Sequence, residues 1–285
     1  MPTLTELTGK PHLSYSSLHT YLECGEKWRL QKIVRAPEAP AYWFPGGTAV
    51  HTGTEVYDLS RSVDELGHTE SLENAIKAFH NKFTEELDKY TEANPGAEWR
   101  AGGRRTKANP NGEDAAWWRL DGPRQVAEYA AWRVQNPWYT LAEIDGLLGV
   151  EFPFTSEFAD LGLPTQGYID RIFDDQRTGE QIVVDLKSGS RIPADISQLA
   201  IYATAVEEQH GRRPRWGAYF MTRTATLTPT LDLSRWNADM LGKWFRNAKT
   251  AIELEHFTPR LSSDCGYCSV RDFCYAQNPD IELPY

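Results

Sequence analysis

The placement of four cysteines constrains this chain more than any other feature. Cys24 stands alone near the N-terminus, and Cys265, Cys268 and Cys274 cluster near the C-terminus as C-x2-C-x5-C. Thiolates at such short spacings are metal ligands or redox groups. The triplet leaves a four-coordinate site one ligand short, and Cys24 is the only thiol left to supply it. A site built from all four staples the two ends of the chain around a metal. Everything between them must then fold as one closed unit.

The setting favours metal over disulfides. Residues 1–11 are polar and lack the apolar stretch of a secretory signal. No apolar run approaches the ~18 residues of a membrane span. A cytoplasmic protein with no membrane partner is expected, and a reducing compartment disfavours disulfides. With 285 residues and 40% apolar content, the chain can build one α/β domain with insertions. Its net charge of -10 argues against a nucleic-acid partner, because phosphates call for a basic surface. Metal-dependent nucleases are a partial exception, since bound cations neutralise their carboxylates.

Hydrophobic periodicity predicts a helix over residues 14–30, capped by Ser14 and carrying Cys24. Residues 37–47 read as a Pro/Gly-rich connection with an aromatic cluster, Tyr42, Trp43 and Phe44. Further helices are expected from Thr48 past Tyr57, over 70–90 and over 123–134. Residues 94–114 read as a loop rich in Gly and Pro that carries Arg100, Arg104, Arg105 and Lys107. It is either a solvated loop or a basic flap over a nucleic-acid channel. The centre changes to strands over 147–155, 165–174 and 180–186, with turns at Gly162, Pro164 and Gly179. A helix over 194–208, a strand pair over 215–222 and 225–231, and an amphipathic helix over 234–256 complete the pattern.

Three polar groups stand out on the central strands. Asp170 follows Gly167-Tyr168-Ile169, Asp185 ends the run Ile182-Val183-Val184, and Lys187 comes two residues later. Residues i and i+2 share a strand face, so Asp185 and Lys187 point together. If the strands pair as a hairpin, Asp170 lies beside Asp185. Two carboxylates at one sheet end suit Mg²⁺ or Mn²⁺, and an adjacent lysine can stabilise charge building on a phosphate. A lone D-x-K is more often a strand-end salt bridge. Gln198 and Tyr202 share a helical face at i, i+4, and His51 closes Gly47-Thr-Ala-Val-His51.

The ordered set resembles a family. G-x-x-x-H (47–51), G-Y-I-D-R (167–171), V-D-L-K (184–187) and Q-L-A-I-Y (198–202), bracketed by Cys24 and the triplet, is similar to the RecB-like nucleases of the PD-(D/E)xK superfamily. It is closest to their iron–sulfur branch, which includes the AddB nuclease domain, CRISPR-associated iron–sulfur exonucleases and stand-alone phage exonucleases. The leader Leu13-Ser14-Tyr15-Ser16-Ser17-Leu18 is similar too. The chain departs from that branch at Gly25, where Pro is frequent, and at Asp185, where Glu is frequent.

The resemblance implies an α/β, restriction-endonuclease-like core: a central mixed sheet flanked by helices, with the N- and C-terminal segments joined by a metal cluster. It implies a single nuclease domain over 1–285, with a helical part (12–135), a catalytic sheet core (147–232) and a C-terminal helix and cysteine cluster (234–285). His51, Asp170, Asp185 and the Leu186 carbonyl would bind Mg²⁺ or Mn²⁺. Lys187 would orient the attacking water, and Gln198 and Tyr202 would hold Lys187 or contact DNA. Glu55, one turn after His51, could join a second metal site or be an ordinary exposed glutamate. The cysteines would hold a [4Fe–4S] cluster, although by themselves they suit structural zinc nearly as well. The expected activity is DNA exonuclease cleavage in recombination, repair or processing, with a helicase, annealing protein or CRISPR-adaptation complex as partner. The alternatives are a nuclease-fold DNA-binding subunit and a zinc-stapled interaction protein.

Overall fold

The computed structural model describes residues 1–107, 109–158 and 163–281, so Gly162 lies outside the described residues. Short α1 (Leu4–Thr8) precedes α2 (Tyr15–Glu23), whose N-cap is Ser14, as the sequence predicts. The expected helix over 14–30 is broken at Cys24. Its backbone is extended (φ -163°), its Sγ accepts the Lys27 N–H at 3.5 Å, and α3 (Gly25–Arg29) starts anew, followed by a π-turn at Leu30–Val34. Cys24 is therefore a cap between two helices rather than a helical residue. A Cβ on Gly25 would lie 3.1 Å from the backbone of Phe257 and Thr258, which accounts for a small residue there.

Helix α4 (Trp43–Ser62) starts five residues before Thr48. Pro45 falls in its first turn, where a missing N–H costs nothing. Gly46 and Gly47 serve close packing rather than a loop: a Cβ on Gly46 would lie 2.2 Å from the Trp118 ring. Helix α5 (His68–Ala93) follows, then α6 (Ala115–Gln135), which Asp114 caps by accepting the Trp117 N–H. Pro123, which suggests a helix start, lies inside α6.

The remaining elements are β1 (Tyr139–Leu141), β2 (Glu143–Ile144), β3 (Leu147–Leu148), β4 (Val150–Ser156), β5 (Thr165–Asp175), β6 (Glu180–Lys187), α7 (Ser197–His210), β7 (Trp216–Met221), β8 (Thr226–Leu227), β9 (Leu231–Asp232) and α8 (Ala238–Glu253). β1 and β2 are too short to register as a sequence pattern. The main sheet runs β1-β5-β6-β7-β8, with β4 also on β5 and β9 on β7. β5 and β6 are antiparallel, whereas β6 and β7 are parallel and joined through α7, so the sheet is mixed.

The chain divides into two compact units: Met1–Ala39, Thr155–Gly167 and Trp236–Tyr285 in one, Pro40–Phe154 and Tyr168–Arg235 in the other. In the first, the chain ends meet directly. The Tyr21 hydroxyl donates to the His256 carbonyl at 2.8 Å, Trp28 stacks on Phe257, and the Ala39 N–H donates to the Ser269 carbonyl at 2.8 Å.

In the second unit, α4, α5 and α6 pack on the sheet through Val50, Tyr57, Phe79, Trp118, Tyr129, Phe173, Val184 and Phe220. Buried within this core is a charged knot. Arg171 of β5 donates to Asp58 of α4 at 2.7 Å and to Thr54 at 3.1 Å, and Arg133 of α6 donates to Asp58 at 2.8 Å. Tyr129 also donates to Asp58. Arg171 and Asp58 are both buried, so the knot fixes α4 and α6 on the strand that carries Asp170.

Candidate active site

The β5–β6 register pairs Arg171 with Val184, which sets Asp170 opposite Asp185. Both are buried at the sheet end. Asp170 accepts the Leu186 N–H at 2.6 Å. Asp185 forms an ion pair with Lys187 at 2.6 Å, and Lys187 donates to Gln198 Oε1 at 3.1 Å. Gln198 in turn donates to the Tyr202 hydroxyl at 2.7 Å. The i+2 spacing on β6 and the i+4 spacing on α7 thus meet in one polar chain. Helix α4 brings His51 Nδ1 to 3.5 Å from Asp170 Oδ1. Gly47 lets α4 approach the end of β6: a Cβ there would sit 3.0 Å from Ser188 Oγ.

One residue of this cluster escapes sequence reasoning. Glu151 of β4 lies 4.0 Å from His51, and His51, Glu151 and Asp170 each place a ligand atom within 4.8 Å of the others. Glu151 occupies the solvent side of the strand's alternation, between Val150 and Phe152, where a charge is ordinary. What marks it is structural. Its backbone is left-handed (φ 42°), a strain of ~1–3 kcal/mol for a non-glycine residue. Among the described residues no hydrogen bond reaches its buried Oε1, although Arg171 lies 3.6 Å away.

Crowded carboxylates shift the titrations. Burial raises the Asp185 carboxyl, Asp170 raises it further, and Lys187 only partly offsets both, leaving it at about 7. Burial works against a charged His51, but Asp170, Glu151 and Asp185 outweigh it and lift the imidazole to about 9. Glu151 is raised by burial and by Asp170. Asp170 is lowered: burial opposes its charge, but His51 and the Leu186 N–H prevail. The cluster therefore holds protons that a cation would displace. Two carboxylates and an imidazole, with a buried oxygen lacking a donor, fit a divalent cation, and the imidazole favours Mn²⁺ over Mg²⁺. The affinity for Mn²⁺ is expected to rise with pH until His51 is deprotonated near 9, and binding at pH 7 to release protons. Calorimetry in buffers of different ionisation enthalpy reads this directly; a pH-independent affinity would contradict it.

The chain belongs to the PD-(D/E)XK nuclease superfamily. The family model matches residues 12–275. The Gene 69 protein of Mycobacterium phage D29 is 30% identical over 275 residues, covering 93% of this chain and 96% of its own. The Gene 69 protein of Mycobacterium phage L5 is 30% identical over 292 residues, with the same coverage. Superfamily nucleases use Mg²⁺ or Mn²⁺, in keeping with the acidic cluster.

The other sequence candidates fall elsewhere. Arg100 lies over the Trp43 ring at 5.1 Å, while Arg104, Arg105 and Lys107 are exposed. Glu55 is half-buried one turn beyond His51 and adds to the negative field at Glu151. In the other unit all four cysteines are free thiols that line one pocket with Leu30, Pro259 and Val270. The Lys27 and Arg260 N–H groups point at Cys24 Sγ at 3.5 and 3.4 Å, and the Ser262 N–H at Cys265 Sγ at 3.5 Å. Among the described residues the thiols define no cluster geometry. No helix among them is long and apolar enough to cross a membrane.

Proposed function

We propose that this chain is a single-domain, Mg²⁺- or Mn²⁺-dependent DNA exonuclease working in recombination, repair or DNA processing in the cytoplasm of an infected cell. The observation that carries this reading is Asp170 facing Asp185 across β5–β6, with Lys187 2.6 Å from Asp185 and His51 3.5 Å from Asp170. His51, Asp170 and Asp185, with the Leu186 carbonyl, would hold the catalytic cation, and Glu151 would complete the set. When bound, the cation polarises the scissile phosphate and activates water for in-line attack. Lys187 positions that water and offsets charge developing on the phosphate. Gln198 and Tyr202 hold the Lys187 ammonium in place. The exposed Arg104, Arg105 and Lys107 would contact the DNA backbone, offsetting the net charge of -10. The deciding experiment is degradation of end-labelled single- and double-stranded DNA with Mn²⁺ or Mg²⁺, by anaerobically purified protein beside Asp185→Ala. Cleavage by the wild type alone supports the reading and gives its polarity. No cleavage by folded wild type would leave a DNA-binding subunit of a larger complex.

We further propose a [4Fe–4S] cluster on Cys24, Cys265, Cys268 and Cys274. The support is that all four thiols line one pocket and that backbone N–H groups point at two of the sulfurs, the environment that stabilises thiolates bound to iron. The cluster is structural, tying the chain ends that already meet in this unit. Cys268→Ala is expected to lose both iron and brown colour and to melt lower. Zinc without iron in the anaerobic wild type would replace the cluster with a zinc staple.

A further inference from the structure

Aromatic residues make up 12% of this chain, and those of the larger unit are almost all buried or half-buried. Among the described residues of that unit, only two Phe, Tyr or Trp side chains are exposed: Phe44 (39%) and Tyr168 (62%). Scattered apolar surface residues are ordinary and call for no explanation. These two are not scattered. Phe44 precedes His51 by seven residues on α4, so the two share a helical face two turns, ~10 Å, apart. Along that face between them lie Thr48, which is exposed, and Gly47, which has no side chain to obstruct it. Tyr168 precedes Asp170 by two residues on β5 and shares its sheet face, ~7 Å away. Each exposed ring therefore flanks a residue of the acidic cluster, one from the helix and one from the strand.

The Phe44 ring is held rather than loose. It stacks on Tyr90 at 6.1 Å and abuts Trp43 at 5.7 Å. The start of α4 is also where the basic segment is strapped down. Trp99 stacks on Tyr42 at 4.8 Å, Arg100 lies over Trp43, and residues 41 and 100 form a parallel bridge. Arg104, Arg105 and Lys107 follow within seven residues of that strap, all exposed. Exposed rings beside a short cationic segment are what binds a single nucleic-acid strand: bases stack on the rings while cations meet the phosphates. A duplex offers no such base faces, because its bases are already stacked on one another.

We propose that Phe44 and Tyr168 are base-stacking residues that lay an unpaired DNA strand across the acidic cluster, making single-stranded DNA, or an unpaired end, the bound substrate. This rests on the nuclease reading above and adds the substrate class to it.

The test compares affinity for single-stranded and blunt duplex DNA in the Lys187→Ala background with Mg²⁺, so that bound DNA is not consumed. Phe44→Ala and Tyr168→Ala are each expected to weaken single-strand binding about 5- to 140-fold, the range alanine substitution gives for one stacked base. Duplex binding should change less than about twofold by the same reasoning. Phe44→Trp should restore single-strand affinity, and its emission should be quenched by the single strand. That rescue separates stacking from mere folding damage. Unchanged single-strand affinity in both alanine variants, or equal losses on both DNAs, would overturn the stacking role while leaving nuclease activity standing. A wild type that neither binds nor cleaves any DNA would overturn both.

Discussion

Lys187→Ala is expected to slow DNA cleavage by at least about 10²–10³-fold, the scale of removing one preorganised donor from a developing charge, while DNA affinity stays within a few-fold. The Lys187 ammonium donates to Asp185 at 2.6 Å and Gln198 Oε1 at 3.1 Å and lies over the Tyr219 ring, so it is fixed by the protein before any DNA arrives. Lys187 can only donate, so the Gln198 amide turns its Oε1 towards it and leaves Nε2 to donate to the Tyr202 hydroxyl at 2.7 Å. Burial raises the Tyr202 hydroxyl well above its ordinary value, so it stays neutral and does not compete for the lysine's charge. Removing Lys187 has a second consequence. Asp185 sits at about 7 with its cation present, and losing that cation drives it higher, so protonation competes with metal. The comparison therefore belongs in alkaline buffer with saturating Mn²⁺. Cleavage lost there with DNA binding retained places Lys187 in the chemical step. Equal loss of cleavage and binding would assign it to binding or folding instead.

How much of this site the sequence reveals depends on whether geometry follows from spacing. The i+2 spacing of Asp185 and Lys187 and the i+4 spacing of Gln198 and Tyr202 each dictate a shared face, and the structure joins them in one chain of contacts. Asp170 opposite Asp185 needs only a hairpin, and the turn over 176–179, closed by the Thr178 and Gly179 N–H groups on the Asp175 carbonyl, supplies it. Glu151 follows no spacing. It joins the cluster because β4 pairs with β5 and because its own backbone is left-handed, and neither is written in a local pattern. The same logic explains the helix boundaries. Pro45, Gly46 and Pro123 signal loops or helix starts by local preference, yet they lie inside α4 and α6 because tertiary packing outweighs propensity. At Cys24, the thiol that caps α3 breaks a helix that apolar periodicity alone would continue.

The fold's weakest substitution is expected to be Asp58→Ala. Asp58 is the one carboxylate between two guanidiniums, Arg171 and Arg133, and it also accepts from Tyr129. Arg171 is fully buried, so without Asp58 it becomes a buried cation that has lost its closest counter-charge. Breaking a buried pair in this way costs ~3–5 kcal/mol, on the order of 10 °C in Tm for a protein of this size. Arg171→Met should cost less, because Asp58 keeps Arg133 and Tyr129. The sign of the pH effect follows from Asp58 itself. Burial opposes its charge, but Arg133 and Arg171 overcome that and hold its carboxyl below the ordinary 3.8. Its contribution is therefore complete above about 4 and fades as pH falls through the depressed value. The wild type should lose stability in acid along a limb that Asp58→Ala lacks, so their melting curves should converge at low pH. Arg171 adjoins Asp170 in the chain, so loosening the knot should also weaken Mn²⁺ binding near neutral pH, before the protein unfolds. An Asp58→Ala protein that melts like the wild type at neutral pH would mean the two guanidiniums find other counter-charges, and that the helices are fixed on β5 by packing alone.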